Sequence, residues 1–451
     1  MQRYRKRAYG VLLVLSLLAL TVQASMIHAQ TMFQGYTAGV QIANVLSTPA
    51  SVLLTAYKPD GTSPWNLSDT ISGNSSTSYF PVNNNSFVGS LVATTGNGNI
   101  VSIANLIAPG GIAGDSFIGQ NTGATTVRLP LLMQNNSGFF TWFSVQNAGG
   151  NTANVTATYS DGTSASGSIA PNAAKNFFQS GESHNQKVFA AKITSNVNVV
   201  AAVVQENARM MLAYTGFTGS GSTTPAFPLI NTNNNGIVTG IQLQNNGSSA
   251  TNVTISYQPS NGSNNGTACT ETQTIQPSAS NSFALVAFST SGNPTGVVSN
   301  CVKGALFVGS ARVTTNSSSQ PLTGVVNQVK SSFNQAGDYS GFDPNAATFK
   351  VVFPLIMDRH GGYYTGISVQ NVGTAAASVN CTFSNTNYSI GATLQPGQAL
   401  VDLQANKIAN DYVGSGWCQA SGTRLIGIVN EASSSTTLDQ LLVYEGINVT
   451  Q

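Results

Sequence analysis

Apolar and polar residues alternate singly over short stretches along most of the chain. The clearest example is Ala153-Asn154-Val155-Thr156-Ala157-Thr158-Tyr159, whose apolar residues occupy every second position. An alternation of period two predicts a β-strand with one buried face. Turn signals such as Pro59-Asp60-Gly61 and Asp161-Gly162 separate these stretches. Because no stretch has helical periodicity, we expect an all-β protein in which helices are nearly absent.

The strand pattern recurs four times along the chain. Each copy opens on a strand that ends at an Asn, at Asn44, Asn147, Asn245 and Asn371. Six or seven short strands per roughly 100 residues predict four tandem antiparallel β-sandwiches of immunoglobulin-like size. A β-propeller is the rival architecture, but its blades repeat about every 40 to 50 residues. The predicted organisation is a signal peptide (1–29) followed by modules 30–122, 123–222, 223–346 and 347–451.

An apolar segment that contains Pro precedes three of the four copies, at Val127–Leu132, Ala226–Ile230 and Val351–Ile356. The first copy has only Thr31–Gln34 at this position. Pro within a strand predicts an edge strand, because Pro cannot donate a ladder hydrogen bond. If the segment completes the copy that follows, the first copy lacks an edge strand. If it completes the preceding copy, the fourth copy lacks one.

The incomplete copy allows two hypotheses. In the first, it is a shorter terminal sandwich whose edge is covered by loops and polar side chains. In the second, its open edge accepts a strand from another molecule, and head-to-tail polymers form through main-chain hydrogen bonds.

The N-terminus and the cysteines predict export. Arg3, Arg5, Lys6 and Arg7 precede the apolar run 11–22, which is typical of a secretory signal cleaved after Ala24 or Ala29. An uncleaved membrane anchor is the alternative. The four cysteines, Cys269, Cys301, Cys381 and Cys418, are an even number in an exported chain, where disulfides persist. Three pairings exist in principle, and pairing within the third and the fourth module is the economical one. We expect a secreted or cell-surface protein.

Charge and chemistry argue against an enzyme. Charged residues are 7% of the chain, and without the signal cations its net charge is weakly negative, which excludes a typical nucleic-acid binder. The two remaining histidines, His184 and His360, lie in different modules without metal-ligand spacing to Cys or carboxylates. The acidic residues form no recurrent pair of the kind that glycosidases use. We expect no cofactor, no metal and no catalytic residue.

Two other classes of ligand site remain to be weighed. Asp115, Asp338 and Asp439 precede closing strands, where calcium binding and the commoner capping of turns are alternatives. Exposed aromatic residues could bind carbohydrate. The candidates for a ligand-facing role are Trp65, Tyr363 and Tyr364, whereas core packing accounts for Trp142 and Trp417.

The order of the motifs resembles tandem Ig-like β-sandwich modules of bacterial secreted and cell-surface proteins. The motifs are Pro-Leu-Leu/Ile, a Gly-rich turn, Val-Gln-Asn and Tyr-x-Gly-Phe, which together cover most of residues 31–451. The resemblance implies rigid modules strung end to end in an adhesin, a surface layer or a filament. Expected partners are a second copy of the chain, in a head-to-tail homopolymer, or a surface polysaccharide or protein. A secreted carbohydrate-binding or accessory protein is the alternative function.

Overall fold

A computed structural model describes residues 31, 33, 35–82, 87–97, 99–262, 264–283, 296–330, 332, 334–433 and 438–450. The expected signal peptide (1–29) lies outside these residues. Nearly all regular structure in the described part is β-strand, and every strand pairing there is antiparallel. Short 3-10 turns lie between the strands, for example at Pro109–Gly111 and Gln179–Gly181. The predicted antiparallel all-β sandwich class is therefore confirmed.

The first group of strands, which we call unit 1, forms two facing sheets. Its strands are β1 (Thr37–Asn44), β2 (Ala50–Tyr57), β3 (Trp65–Ile71), β4 (Ser76–Tyr79), β5 (Ser90–Thr95), β6 (Ile100–Ile107) and β7 (Gly114–Ile118). One sheet has the order β4-β1-β6-β7 and the other the order β3-β2-β5. Ile42, Leu54 and Ile71 are buried in the core of this unit.

Unit 2 repeats this arrangement with one long strand shared by both layers. Its strands are β8 (Ala124–Met133), β9 (Phe140–Asn147), β10 (Ala153–Tyr159), β11 (Ser164–Ile169), β12 (Ala174–Phe178), β13 (Val188–Glu206) and β14 (Met211–Thr215). The first part of β13 pairs with β8 and β10, and its last part pairs with β9 and β14. The remaining units have two separate strands in place of β13.

Units 3 and 4 each have two sheets and one disulfide. Unit 3 contains β15 (Ala226–Thr232), β16 (Val238–Asn245), β17 (Thr251–Pro259), β18 (Cys269–Ile275), β19 (Ser280–Phe283), β20 (Val298–Ser299), β21 (Phe307–Thr315), β22 (Leu322–Lys330) and β23 (Gln335–Ser340). Unit 4 contains β24 (Lys350–Asp358), β25 (Tyr363–Asn371), β26 (Ala377–Phe383), β27 (Ser389–Leu394), β28 (Ala399–Leu403), β29 (Tyr412–Ala420), β30 (Leu425–Ser433), β31 (Leu441–Glu445) and β32 (Ile447–Val449). Cys269 is bonded to Cys301 and Cys381 to Cys418, so each bridge lies within one unit.

The recurrent Asn at the end of each opening strand clamps a loop. Asn147 is fully buried, and its Nδ2 donates to the carbonyls of Asn151 (2.8 Å) and Ile169 (3.0 Å). Its Oδ1 accepts the Gly149 N–H at 2.8 Å. The same three contacts recur at Asn44, Asn245 and Asn371. The side chain thus supplies hydrogen bonds that the buried turn could not obtain from water.

The Pro-containing strands complete the unit that follows them. β8 pairs with β13, β15 with β21 and β24 with β29, and the register of each pairing shifts close to the Pro. Such a shift is expected because Pro cannot donate a hydrogen bond to the ladder. Unit 1 has no such strand among the described residues, and there β5 pairs only with β2. Within the part of the chain that the structure describes, the first unit is therefore the one without this strand.

The four units close into a ring. Each unit contributes its closing strand (β7, β14, β23 or β31), and these strands contact one another in the cyclic order β7, β14, β23, β31, β7. All five residues of β14 and of β31 are buried, so both faces of these strands require packing partners. Because unit 4 packs against unit 1, the expectation of modules strung end to end is wrong.

Candidate functional site

Tyrosine hydroxyls anchor the Pro-containing strands at the point where their pairing is irregular. The Tyr214 hydroxyl accepts the Leu131 N–H (3.2 Å) and donates to the Leu131 carbonyl (2.7 Å). Leu131 directly follows the Pro of its strand. Equivalent bonds join Tyr339 to Leu229 and Tyr444 to Leu355. Burial raises the pKa of each of these tyrosines well above the ordinary value, so the hydroxyl remains a donor.

A threonine of the opening strand forms a second anchor. The Thr141 hydroxyl accepts the Met133 N–H at 2.8 Å. Two further pairs share this arrangement, Thr239 with Asn231 and Thr365 with Met357. The hydroxyls of Tyr and Thr therefore hold the Pro-containing strand in units 2, 3 and 4 alike.

Unit 1 lacks both anchoring hydroxyls. Phe117, two residues before Gly119, stands where the other units have Tyr, and Ala38, six residues before Asn44, stands where they have Thr. The side chains that would hold the strand are thus missing from the unit that has no such strand in the described residues.

Each Pro-containing strand also lies between its own unit and the next. β8 packs against β16 and β22, β15 against β25 and β30, and β24 against β1 and β6. In one of these interfaces the Ser368 hydroxyl donates to the Pro228 carbonyl at 2.7 Å. Ser368 and Gln370 on β25 are buried there, whereas Ser144 and Gln146 at the corresponding positions of β9 are only partly buried. As far as the described residues show, the interface between units 1 and 2 therefore has a groove at the position of the strand.

The groove has an aromatic floor and one open strand edge. Trp142 of β9 packs against Phe178 of β12, with ring centroids 6.2 Å apart. On its other side Trp142 meets Tyr36, which together with Phe33 covers the end of the groove nearest β14. A cavity of about 400 Å³ opens next to Phe178, between β12 and Val88, which precedes β5. We call this whole feature the unit 1–2 groove.

A carboxylate at the centre of the ring joins all four units. Asp115 of β7 is fully buried and accepts main-chain N–H groups from Ala213 (2.7 Å), Asp338 (3.1 Å) and Val443 (2.6 Å), as well as from Ser116 (2.8 Å). The first three donors belong to β14, β23 and β31, and Ser116 belongs to β7 itself. Closing strands are edge strands, so the carboxylate satisfies N–H groups that their own sheets leave unpaired.

Further buried acids surround Asp115. Asp439 accepts the N–H groups of Met211 and Ala336, at 2.7 Å each, and Glu445 accepts the N–H of Ser340. Each of these bonds crosses between units. The centre of the molecule is therefore a network in which carboxyl groups bridge neighbouring closing strands.

The two central carboxyl groups, Asp115 and Asp338, have different hydrogen-bond partners. Burial raises the pKa of Asp338 well above its ordinary value, and the charge of Glu445 raises it further. Asp338 Oδ2 accepts the Gln205 side-chain N–H at 2.5 Å, while Oδ1 has no partner. Burial and the charge of Asp338 also raise the pKa of Asp115, but its N–H donors oppose this rise. The pKa of both central carboxyl groups therefore lies well above that of a free carboxyl group.

Burial raises the pKa of other acids in the network as well. The pKa of Glu431, which accepts the Asn105 side-chain N–H at 3.2 Å, rises to about 8. Asp439 and Glu445 shift in the same direction for the same reason. The network thus holds protons at pH values where free carboxyl groups are ionised.

The two histidines in the described part of the chain, His184 and His360, each lie beside an acid that is distant in sequence. Buried His184 has its Nδ1 3.0 Å from Asp161 Oδ2 and its Nε2 3.0 Å from Gln179 Oε1, and its ring stacks on Phe189. It ties the turn after β10 to the segment before β13. His360 is half exposed, with Nδ1 2.7 Å from an oxygen of Asp411.

The candidates for ligand binding remain apart. Among the described residues, no group of three or more His, Cys, Asp or Glu side chains is placed to hold a metal ion. Asp115, Asp338 and Asp439 instead form the central junction. Trp65 packs at the unit 1 core and Tyr363 at the unit 4 core, with Tyr364 beside it, so the structure does not gather them into one aromatic surface. The part of the chain that the structure describes has no helix long and apolar enough to cross a membrane.

Sequence reasoning missed the junction and the unit 1–2 groove. One signal for the junction was available, because Asp115 is a charged residue within the short closing strand Gly114–Ile118. The replacement of Tyr by Phe117 was a signal for the groove. No protein-family model matches the chain, and no curated protein matches it significantly.

Proposed function

We propose that this protein is a non-catalytic extracellular component of a surface layer, a filament or an adhesive structure. The observation that carries this proposal is the combination of a closed ring with a strand edge at β5 that, among the described residues, has no counterpart of the Pro-containing strands that pair with β13, β21 and β29. Sheet edges are a common means of joining proteins through main-chain hydrogen bonds. The resemblance to tandem Ig-like surface modules, which rests on sequence motifs, points to the same class.

The two disulfides support an extracellular location. Bridges of this kind persist in oxidising compartments and are rare in the cytosol. The basic and apolar N-terminal pattern is typical of export. Secretion and display at the cell surface remain part of the proposal.

The test is an electron-microscopy and binding experiment on the purified mature protein. Negative-stain images are recorded over a concentration series, and sedimentation with cell envelopes of the producing organism is measured in parallel. Ordered filaments or sheets, or saturable sedimentation with envelopes, are the expected results. Isolated rings that do not sediment with envelopes at any concentration would contradict the proposal.

A further inference from the structure

We infer that the outer face of unit 2 binds an acidic polysaccharide, whose carboxylate or sulfate groups contact Arg128 and Lys192 and whose hydroxyl groups contact neighbouring Ser and Thr side chains. This inference rests on the proposed adhesive function and names a recognition site and a class of partner for it. The four strands that form this face are β11, β10, β13 and β8, and all of them lie wholly within the described residues.

Two rows of side chains cross this face in register. The first row runs from Ser164 of β11 through Thr158 of β10 and Lys192 of β13 to Arg128 of β8. Side chains paired across an antiparallel sheet lie on the same face. These four are exposed or partly exposed, whereas the residues next to them along each strand belong to the unit 2 core. The second row, two positions away on each strand, consists of Ser166, Thr156, Thr194 and Thr126. We call these two rows the unit 2 plate.

Arg128 and Lys192 are a pair of cations without an acidic partner among the described residues. They are direct cross-strand neighbours, an arrangement that repulsion between like charges disfavours. The structure describes every Asp and Glu of the chain, and none of these acids forms an ion pair with either side chain. Burial lowers the pKa of Arg128, and its buried Nε has no hydrogen-bond partner. An anionic group of a ligand would supply the partner that both cations lack.

The corresponding positions of units 3 and 4 show that the fold does not require this pair. In unit 3 the position of Lys192 is Arg312, which faces Ala226 and donates to a main-chain carbonyl of unit 4 at 2.8 Å. In unit 4 the two positions hold Trp417 and Val352. The cation of unit 3 therefore has a structural role at an interface, and the described residues show no such role for the pair in unit 2. In a chain with 7% charged residues, two adjacent cations of this kind indicate a binding role.

The rest of the plate indicates the class of ligand. Its other groups are neutral hydroxyls, some of which bond to each other, as Thr156 Oγ1 and Ser166 Oγ do at 3.1 Å. Protein interfaces have an apolar core, whereas none of the plate residues has an apolar side chain. Nucleic acids require cations that follow a line of phosphates, and the plate has one pair. A polymer with many hydroxyl groups and spaced anionic groups matches both the hydroxyls and the cations, which favours an acidic polysaccharide.

Charged polysaccharides and their uncharged forms test the class of ligand. Polygalacturonate carries carboxylates and dextran sulfate carries sulfates, while methyl-esterified polygalacturonate and dextran are the uncharged forms. Binding to the full-length mature protein is measured by isothermal titration calorimetry at low and at high salt. We expect saturable binding of at least one charged polymer, weaker at high salt, and at least about tenfold weaker binding of its uncharged form, because charge-assisted hydrogen bonds are lost. The polymer that binds identifies the anionic group as carboxylate or sulfate.

A matched pair of double variants locates the binding site. Arg128→Gln with Lys192→Gln removes both charges of the plate. Lys187→Gln with Arg209→Gln removes two charges from exposed positions between the strands of the same unit. We expect the plate variant to bind the charged polymer at least about tenfold more weakly than the control variant. A melting temperature no lower than that of the parent protein is the check on folding, and if the plate variant fails to fold, Lys192→Gln alone replaces it.

A second comparison tests the hydroxyl groups of the plate. Thr194→Val removes one exposed hydroxyl of the plate, and Thr314→Val removes the corresponding hydroxyl of unit 3. We expect Thr194→Val to weaken binding of the charged polysaccharide roughly threefold, as loss of one hydrogen bond would cause, and Thr314→Val to leave it unchanged. Polyglutamate, which has carboxylates but no sugar hydroxyls, should bind at least about tenfold more weakly than the polysaccharide.

Several results would overturn the inference. They are no saturable binding of either charged polymer, equal binding of the uncharged form or of polyglutamate, equal binding by the plate and control double variants, and equal binding by the two Thr variants. Sedimentation with envelopes separates this failure from failure of the proposed function. If the polymers do not bind while envelopes still retain the protein, the plate is wrong and the proposed function stands. If the polymers bind but neither sedimentation with envelopes nor filaments are found, the proposed function is wrong and the plate stands.

Discussion

At the scale of single residues, hydroxyl groups compensate for the irregular backbone that Pro creates. Leu131, Leu229 and Leu355 follow Pro in bulged strands, and each has its N–H and carbonyl paired by one tyrosine. The hydroxyl serves as acceptor and donor together, which Phe cannot do. Unit 1 has Phe117 at the position of this tyrosine. The structure describes no Pro-containing strand there that would need a hydroxyl as a hydrogen-bond partner.

Replacing one of these tyrosines should destabilise its unit. Tyr339→Phe removes only the hydroxyl and leaves the N–H and carbonyl of Leu229 buried and unpaired. We expect the free energy of unfolding to fall by about 1–3 kcal/mol. Thermal and urea denaturation measure the effect, and Tyr364→Phe, at a partly exposed position outside the network, is the matched control. Equal stability of the two variants would show that the bulge does not depend on the hydroxyl.

A second residue-scale prediction concerns the pH dependence of stability. Burial raises the pKa of Glu431 to about 8, from an ordinary value of 4.5. Its contribution is fully present below 4.5, where both folded and unfolded chains hold the proton. Between 4.5 and about 8 the unfolded chain ionises first, so stability falls by about 1.4 kcal/mol per pH unit. Above about 8 the loss stops, because the folded state ionises too.

Glu431→Gln tests this linkage because the amide stays neutral at every pH. We expect its free energy of unfolding, measured from pH 4 to pH 9, to decline less steeply between 4.5 and 8 than that of the parent protein. Part of the slope should remain, since Asp338, Asp439 and Glu445 are shifted in the same direction. Identical slopes would contradict the protonated state of Glu431.

At the scale of the elements, the sequence predicts strands well because the signals for strands are local. Alternation located β10 at its observed bounds, and the recurrent Asn marked the ends of β1, β9, β16 and β25. The pairing of the Pro-containing strands could not be decided, because both neighbouring units offer an edge. The observed pairings of β8 with β13, β15 with β21 and β24 with β29 show that each Pro-containing strand belongs to the unit that follows it.

The Asn clamp makes an element-scale prediction. Asn147→Ala removes three hydrogen bonds that hold the turn between β9 and β10 against the end of β11. We expect a loss of about 2–4 kcal/mol in the free energy of unfolding, since the freed main-chain groups lie in a buried turn. Hydrogen exchange should show faster exchange at Gly149. Asn154→Ala, at an exposed position on β10, is the control. A variant as stable as this control would show that the hydrogen bonds of Asn147 do not stabilise the turn.

At the scale of the whole molecule, ring closure depends on contacts that sequence patterns do not reveal. The N–H of Val443 reaches the carboxylate of Asp115 across 328 positions of the chain. What the sequence did contain was a mainly apolar run in β14 and in β31, too apolar for an exposed edge. The unit 1–2 groove was equally hidden, because its floor and its wall come from different units.

The junction predicts that one substitution should loosen the ring. Asp115→Ala leaves N–H groups of β14, β23 and β31 buried without an acceptor. We expect a loss of several kcal/mol in the free energy of unfolding, because three unpaired groups cost about 1–3 kcal/mol each. Differential scanning calorimetry and limited proteolysis should show unit 1 separating first. Asp60→Ala, in an exposed turn, is the control. A variant that melts like this control would exclude a structural role for the carboxylate.

The closed ring is tested most directly by small-angle X-ray scattering from dilute mature protein. A compact chain of this length has a radius of gyration of about 22 Å. The account predicts a value close to this and a pair-distance distribution with a single broad maximum. A radius of gyration roughly twice as large, with the long tail typical of a rod, would show modules strung in a line and contradict both the junction and the groove.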